Sequence, residues 1–377
     1  MEKIPHPVIS KGEYSNYILP KIELFGPTKS EKIPCSLRYV LESDTWKNNK
    51  FQLPLALGKD DDDNAVVFDL AKLRHILIGG QTGSGKSICM YSILGGLLSK
   101  FTPDELHLVI SDLKMVEFTW GCQYLPHLQI PLIHNNQKTL SVLEDLIEEI
   151  NCRMKIFEDK KVQNITEFNA ASIEKMPRIV FFIDDLADLM FDKAVFKQIE
   201  ASICSIAELG ENVGIHLIVC TQRPDLKVFS KKIRKAVPAR IAFKVVDDIS
   251  SRVILDTGGA EKLAGHGDML IKLPDDKIIH AQCAYWQDKQ VKELINMYKP
   301  FAKINPLDLP VEDINVLDDE IKNFIFPGDT YGFLEAVKFV ISTGKAGSSY
   351  LQRHLHIGYN RAAEYMDLLR ERGVVQK

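Results

Sequence analysis

The sequence has no apolar run approaching the roughly 18 residues a membrane-spanning helix needs; its best runs, such as Ile179 to Ile183, are strand length. The opening Met1-Glu2-Lys3-Ile4-Pro5 lacks the apolar stretch and small-residue cleavage site of a secretory leader. A cytoplasmic protein without membrane contact is therefore expected. Cysteine is sparse: the seven (Cys35, Cys89, Cys122, Cys152, Cys204, Cys220 and Cys283) lie far apart with no CxxC pair. That argues against a disulfide framework or a thiolate metal site. Charge of one sign is lacking too. With 47 Lys+Arg against 51 Asp+Glu the formal charge is -4, which excludes a general basic coat for nucleic acid while leaving room for a local basic face. No repeat of 20–50 residues is visible.

What is present is the composition of a folded protein, 45% apolar and 26% charged over 377 residues, enough chain for two or three domains. Residues 1–34, dotted with proline, read as an extended N-terminal arm. The run Asp60-Asp61-Asp62-Asp63 reads as a solvated turn, since no EF-hand glycine and closing Glu follow it. From residue 74 to 268, short apolar runs alternate with helical periods. Ile76 to Gly79, Leu106 to Ile110, Ile179 to Ile183, Leu217 to Cys220 and Ile241 to Val246 predict strands buried on both faces. Leu143, Leu146, Ile147, Ile150 and Met154, and Phe196, Ile199, Ile203 and Ile206, fall at helical spacing. The alternation predicts an α/β domain with a mainly parallel sheet over 35–299. An acidic, proline-containing linker (300–330) and a small helical unit (331–377) follow. The linker sets seven acids against Lys303 and Lys322, and the unit sets seven Lys/Arg against four acids.

Gly80-Gln81-Thr82-Gly83-Ser84-Gly85-Lys86-Ser87 fits the P-loop pattern, between the strand ending at Gly79 and the helical run Ile88 to Leu98. Glycines let backbone N–H groups turn inward, and the helix N-terminus favours anions. Lys86 is placed to reach the β- and γ-phosphates of ATP, and Ser87 to ligate Mg²⁺. The apolar run Ile179 to Ile183 delivers Asp184 and Asp185 to a strand's C-terminal edge, where open α/β sheets bind ligands. Asp184 is the Mg²⁺ candidate and Asp185 the candidate base. Gln222, past a third strand, is placed to touch the γ-phosphate or its water.

These elements resemble the motor of the FtsK/SpoIIIE family of DNA translocases. The matching stretches include Leu53 to Lys59, the P-loop, Asp112-Leu-Lys-Met-Val-Glu117, Asp184 to Met190, Gly214-Ile-His216, Thr221-Gln-Arg-Pro224, Ile254 to Glu261 and Gly265 to Leu270. Leu351 to Ala363 is similar to the family's γ domain, a winged helix. The resemblance implies a RecA-like P-loop ATPase forming a homo-hexameric ring around double-stranded DNA, with the γ domain orienting it for chromosome segregation and able to contact a site-specific recombinase. It implies MgATP roles for Lys86, Ser87 and Asp184, the catalytic-carboxylate position for Asp185 and a γ-phosphate sensor in Gln222. The membrane segments and the α subdomain of such proteins are expected to be missing here.

Departures from the family pattern sharpen the expectations. Asp185 stands where a Glu is typical, predicting slowed hydrolysis. Glu211 stands where a basic residue is frequent, leaving Arg223, Arg240 and Arg252 as candidates for an arginine acting in trans. Asp247 and Asp248 place acids in a segment expected to face DNA. Lys227, Lys231, Lys232, Arg234 and Lys235 could compensate, or form a solvated helix face. In the carboxy-terminal unit, Phe333, Val337, Val340 and Ile341 predict one helical face, with Ser348 or Ser349 capping a helix Leu351 to Leu355. A turn at Ile357-Gly358 then leads to a recognition helix presenting Tyr359, Asn360 and Arg361, with Arg353 nearby. Two other readings remain open: a nucleotide-controlled DNA tether or regulator, and a conjugative or phage DNA pump.

Overall fold

The computed structural model describes residues 14, 17–27, 33–114, 118, 122–191, 193–298, 301, 336, 339–340, 347–355 and 359–371. The 300–330 linker expected from composition thus lies almost wholly outside the described residues. So do most of the arm, the turn 356–358, and Phe333, Val337 and Ile341.

Nine strands form one sheet in the order β2-β1-β9-β8-β7-β3-β6-β5-β4. They are β1 (Pro54–Asp60), β2 (Ala65–Asp69), β3 (Ile76–Gly79), β4 (Leu106–Asp112), β5 (Arg178–Asp184), β6 (Ile215–Thr221), β7 (Ala239–Phe243), β8 (Asp268–Lys272) and β9 (Ile278–Cys283). The five strands anticipated from apolar runs, β7-β3-β6-β5-β4, pair in parallel. The hairpins β1–β2 and β8–β9 extend the sheet by four antiparallel strands that the periodicity did not announce. The predicted strand Ile241 to Val246 stops at Phe243, and Val246 stands 82% exposed.

Alternate residues of each central strand feed two cores. Ile76, Ile78, Val180, Phe182, Ile218 and Cys220 face the core shared with the helix Lys86–Leu98, while Leu77, Ile179, Phe181, Leu217 and Val219 face the core shared with Asn136–Lys160 and Lys193–Val213. Burying one such Phe stabilises by about 1.5–3 kcal/mol. The predicted stripe on Asn136–Lys160 needs one correction: Met154 is 46% exposed, and Arg153 turns inward beside it. Arg153 donates to Glu149 at 2.6 Å and to the Pro177 and Val213 carbonyls at 2.9 and 2.8 Å, which offset the cost of burying its charge.

The arm is packed, not loose, where it is described. A 3-10 turn Ile22–Phe25 seats Phe25 against Trp286, whose indole N–H donates to the Leu24 carbonyl at 2.7 Å. Tyr17 stacks on Tyr298. The acidic run forms the β1–β2 turn, with Asp60 accepting the N–H groups of Asp62 and Asn64. In the carboxy-terminal unit the helices Ser348–Leu355 and Tyr359–Glu371 pack together, burying Leu351, Ala362, Tyr365, Met366 and Leu369. The first begins at Ser348 itself, so the serines lie inside its first turn and not ahead of it. No helix among the described residues is long and apolar enough to cross a membrane.

Candidate nucleotide site

The P-loop leaves β3 at the centre of the sheet, flanked by β7 and β6. Gly83 and Gly85 take φ of +74° and +119°, a backbone that glycine adopts without steric cost. Gly85 is required for a second reason, because a Cβ there would lie 2.7 Å from the Gly267 backbone. The loop is pinned on both sides: Gln81 N–H donates to the Lys244 carbonyl at 2.8 Å, and Gly267 N–H to the Ser84 carbonyl at 2.9 Å. Lys86, 5% exposed, folds back so that its ammonium donates to the Gln81 carbonyl at 2.8 Å. That arc of backbone, cation and helix N-terminus is chemically suited to a polyphosphate.

The carboxylates arrive from β5, one strand beyond β6. Asp184 ends the strand and is 4% exposed; Asp112, at the end of β4, lies opposite it in register and accepts the Phe118 N–H at 3.0 Å. Asp185 follows in a left-handed conformation, φ +48°, which Asp tolerates better than most residues. Its Oδ1 accepts the Thr221 hydroxyl at 3.0 Å and the Gln222 N–H at 3.1 Å, while its Oδ2 accepts the Lys114 ammonium at 2.8 Å. Lys114 also reaches Asp188 at 2.9 Å. Burial pushes the Asp185 carboxyl up, but the donors from Lys114, Gln222 and Thr221 outweigh it and hold the group below the ordinary carboxylate range. At Asp188 burial prevails, helped by the neighbouring Asp185 charge, and the pKa is raised. Gln222, at the end of β6, joins the two halves of the site, its side-chain oxygen accepting the Thr82 hydroxyl at 2.7 Å.

A cavity of about 490 Å³ opens from the P-loop. It is lined by Thr82, Gly83, Gly85, Lys86, Ser87 and Gln222, and also by Ile33, Pro34, Cys35, His266, Gln282, Cys283 and Tyr285. Sequence reasoning assigned none of this second set. Cys35 and Tyr285 are joined by main-chain bonds, Tyr285 N–H to the Cys35 carbonyl and Leu37 N–H to the Tyr285 carbonyl, each 2.9 Å. The only sequence signal was Gly265-His-Gly267, whose three residues all take positive φ where the chain crosses the P-loop.

The arginine candidates separate. Arg240 is held within the chain: it is 6% exposed, and its guanidinium donates to the Val237, Ile254 and Arg234 carbonyls and to Asp256. Arg252 is exposed but paired with Asp248 at 2.6 Å. Arg223 is exposed just past Gln222. Glu211 pairs with Arg74 at 2.7 Å. The two acids expected to repel DNA have local work: Asp247 caps the helix Asp248–Leu255 through Ser250 N–H, and Asp248 holds Arg252. Of the basic run, Lys227, Lys231, Lys232 and Lys235 are exposed, whereas Arg234 pairs with Asp256 at 3.0 Å. Arg353 lies over the Tyr350 ring and Tyr359 is 62% exposed; the side chains of Asn360 and Arg361 fall outside the described residues.

Comparison with known proteins agrees with this geometry. Residues 36–226 match the FtsK/SpoIIIE family and residues 329–377 the FtsK gamma domain, a winged helix. The DNA translocase FtsK of Clostridium tetani is 38% identical over 356 residues, 92% of this chain and 47% of that one. The DNA translocase FtsK of Campylobacter jejuni serotype O:2 is 38% identical over 347 residues, 90% of this chain and 36% of that one. The chain thus spans about half or less of the length of these relatives. Among solved structures, the pCW3 conjugation coupling protein TcpA with ATPγS superposes with a TM-score of 0.59 at 30% identity, covering 68% of this chain and 72% of that one. The type VII secretion ATPase EccC of Thermomonospora curvata shares the fold, with a TM-score of 0.57 at 21% identity over 65% of this chain and 31% of that one. A P-loop at the centre of a mixed sheet, two carboxylates two strands away and this agreement over nearly the whole sequence lead to one conclusion: the chain belongs to the FtsK/SpoIIIE family.

Proposed function

We propose that this chain is the motor and DNA reader of an ATP-driven translocase that moves along double-stranded DNA as a homo-hexameric ring in the cytoplasm. The observation that carries the reading is the collection of Lys86, Asp184, Asp185 and Gln222 at the C-terminal edge of the parallel strands, with Lys86 and Gln222 lining the 490 Å³ cavity. The P-loop N–H groups and Lys86 receive the phosphates of ATP. Ile33, Pro34 and Tyr285 receive its base, where apolar walls favour a stacked ring. The residues also suit Mg²⁺, since a hydroxyl at the start of the P-loop helix and a buried carboxylate supply hard oxygen donors; Ser87 and Asp184 would hold it. Bound there, it neutralises charge on the phosphate oxygens. Asp185 accepts a proton from the attacking water or orients it, and Gln222, tied to Thr82, links the phosphate end to the segment that carries Arg223. Arg223 is the candidate to reach a neighbouring subunit.

Duplex DNA is met by the exposed Lys227, Lys231, Lys232 and Lys235, and by the winged helix through Arg353, Tyr359, Asn360 and Arg361, which orients loading for chromosome segregation. A recombinase partner belongs to the same reading. DNA-stimulated ATP turnover together with displacement of a third strand from a triplex, both lost in Lys86→Ala, tests it. Turnover or nucleotide binding without displacement would favour the tether.

A further inference from the structure

We propose that Lys114 is a positioning residue for ATP hydrolysis: its ammonium fixes the Asp185 carboxylate in the orientation from which it serves the attacking water. This rests on the reading of Asp185 as the group that handles that water. An ionised carboxylate offers about four lone-pair sites. Thr221 and the Gln222 N–H occupy Oδ1, and Lys114 occupies one site on Oδ2, beside the Asp188 side chain. Rotating the carboxylate about its Cβ–Cγ bond would break all three bonds together. Two of the donors belong to β6 and its end and are fixed by the sheet; the third, from the turn after β4, is the only charged one.

The need for such a clamp follows from the backbone. Asp185 leaves the strand at φ +48° with a side chain one methylene shorter than Glu, so its reach is set by what pulls on it. Asp184 and Asp188 flank it, and with Asp185 2% exposed three carboxylates would repel one another in a site that water screens poorly. Lys114 answers both demands. It bridges Asp185 and Asp188 at 2.8 and 2.9 Å while its own side chain is 43% exposed. Removing the amine therefore leaves the carboxylate held through Oδ1 alone, with Oδ2 unclamped, without opening a hole in the core.

Steady-state ATP hydrolysis by the full chain with saturating duplex DNA tests the assignment. Lys114→Met should lower kcat by about 10- to 100-fold, at or below the roughly 10²–10⁴ that a positioned general base contributes, with KM for ATP within about twofold. Lys114→Arg should restore most of the rate, because a guanidinium can span the same two carboxylates. Thermal melting and binding of a fluorescent ATP analogue should match the parent for both variants, and Lys114→Gln provides a second neutral replacement. Unchanged kcat in both neutral variants would overturn the proposal. So would equal loss in the Met and Arg variants with a raised KM, which marks a merely structural lysine. Asp185→Asn separates this from the underlying reading. Full turnover in Asp185→Asn defeats Asp185 as the water-handling group, whereas an inactive Asp185→Asn beside active Lys114 variants defeats only the role given to Lys114.

Discussion

The two halves of the sheet handle the nucleotide cavity in different ways. The parallel strands β7-β3-β6-β5-β4 contribute the groups to which chemistry is proposed, all at their C-terminal ends and all buried or hydrogen-bonded: Lys86, Asp184, Asp185 and Gln222. The antiparallel hairpins and the segments beside them contribute walls: Ile33 to Cys35, His266, Cys283 and Tyr285. Parallel strands end together, so their polar termini collect at one edge. A hairpin returns on itself and presents a surface instead. On the proposed reading, catalysis and enclosure are divided between topologies, and the Gly85–Gly267 contact is where the two meet.

The largest expected effect breaks the parallel half: Lys86→Ala should reduce DNA-stimulated ATP turnover by at least about 10²-fold, as loss of a charge-stabilising group does, measured by phosphate release. Next is the seam itself. Gly85→Ala forces a Cβ into the Gly267 backbone at φ +119°; it should destabilise the fold by about 1–3 kcal/mol and abolish nucleotide binding, seen by thermal melting with and without ATP. Tyr285→Ala strikes the antiparallel wall alone. It should raise KM for ATP about tenfold, the equivalent of roughly 1.4 kcal/mol of lost stacking, and leave kcat unchanged; an equal fall in kcat would erase the division drawn above. Asp247→Ala, which removes a helix cap at the rim proposed to face DNA, should cost about 1 kcal/mol of stability and strengthen DNA binding at low salt by removing a negative charge.

The smallest effect sits on the outer hairpins. His280 of β9 bonds Asp61 and Asp268, its two facing carboxylates, at 2.7 and 2.6 Å. Partial burial lowers its pKa, but both hydrogen bonds and both charges raise it more, so the net shift is upward. A His with a raised folded pKa stabilises fully below the unfolded value of about 6.5 and loses that contribution as pH climbs through the folded value. Melting temperature should therefore fall slightly from pH 6 to pH 8. A His280→Gln variant should lose that slope.

What could be read ahead of the structure follows the same division. The P-loop, Asp184 and Asp185 are local patterns: short spacings whose chemistry needs particular residue types, placed by strands whose unbroken apolar runs announce burial on both faces. The rest of the cavity lining is not local. Ile33 and Tyr285 are ordinary apolar residues far apart in sequence, with no motif to mark them, and β9, with exposed residues among its six, carries too weak an alternation to read. Charged residues misled in both directions. Arg240 looked available because nothing in its neighbourhood announced Asp256, which gathers Arg234, Arg240 and Lys272. The stripe ending at Met154 broke because Glu149 four residues before Arg153 lets that arginine be buried as a pair.

The closure of the cavity by Tyr285, with Trp286 bonded to Leu24 across 262 residues of sequence, has a consequence for how the molecule is made. Bringing such distant segments together is slow and entropically costly, and during synthesis it must wait. The phosphate loop emerges from the ribosome long before the hairpin that completes its pocket. A nascent chain ending short of β9 would carry Lys86 without the enclosure that holds a nucleotide. The pocket is complete only in a chain that has been made to the end of its sheet.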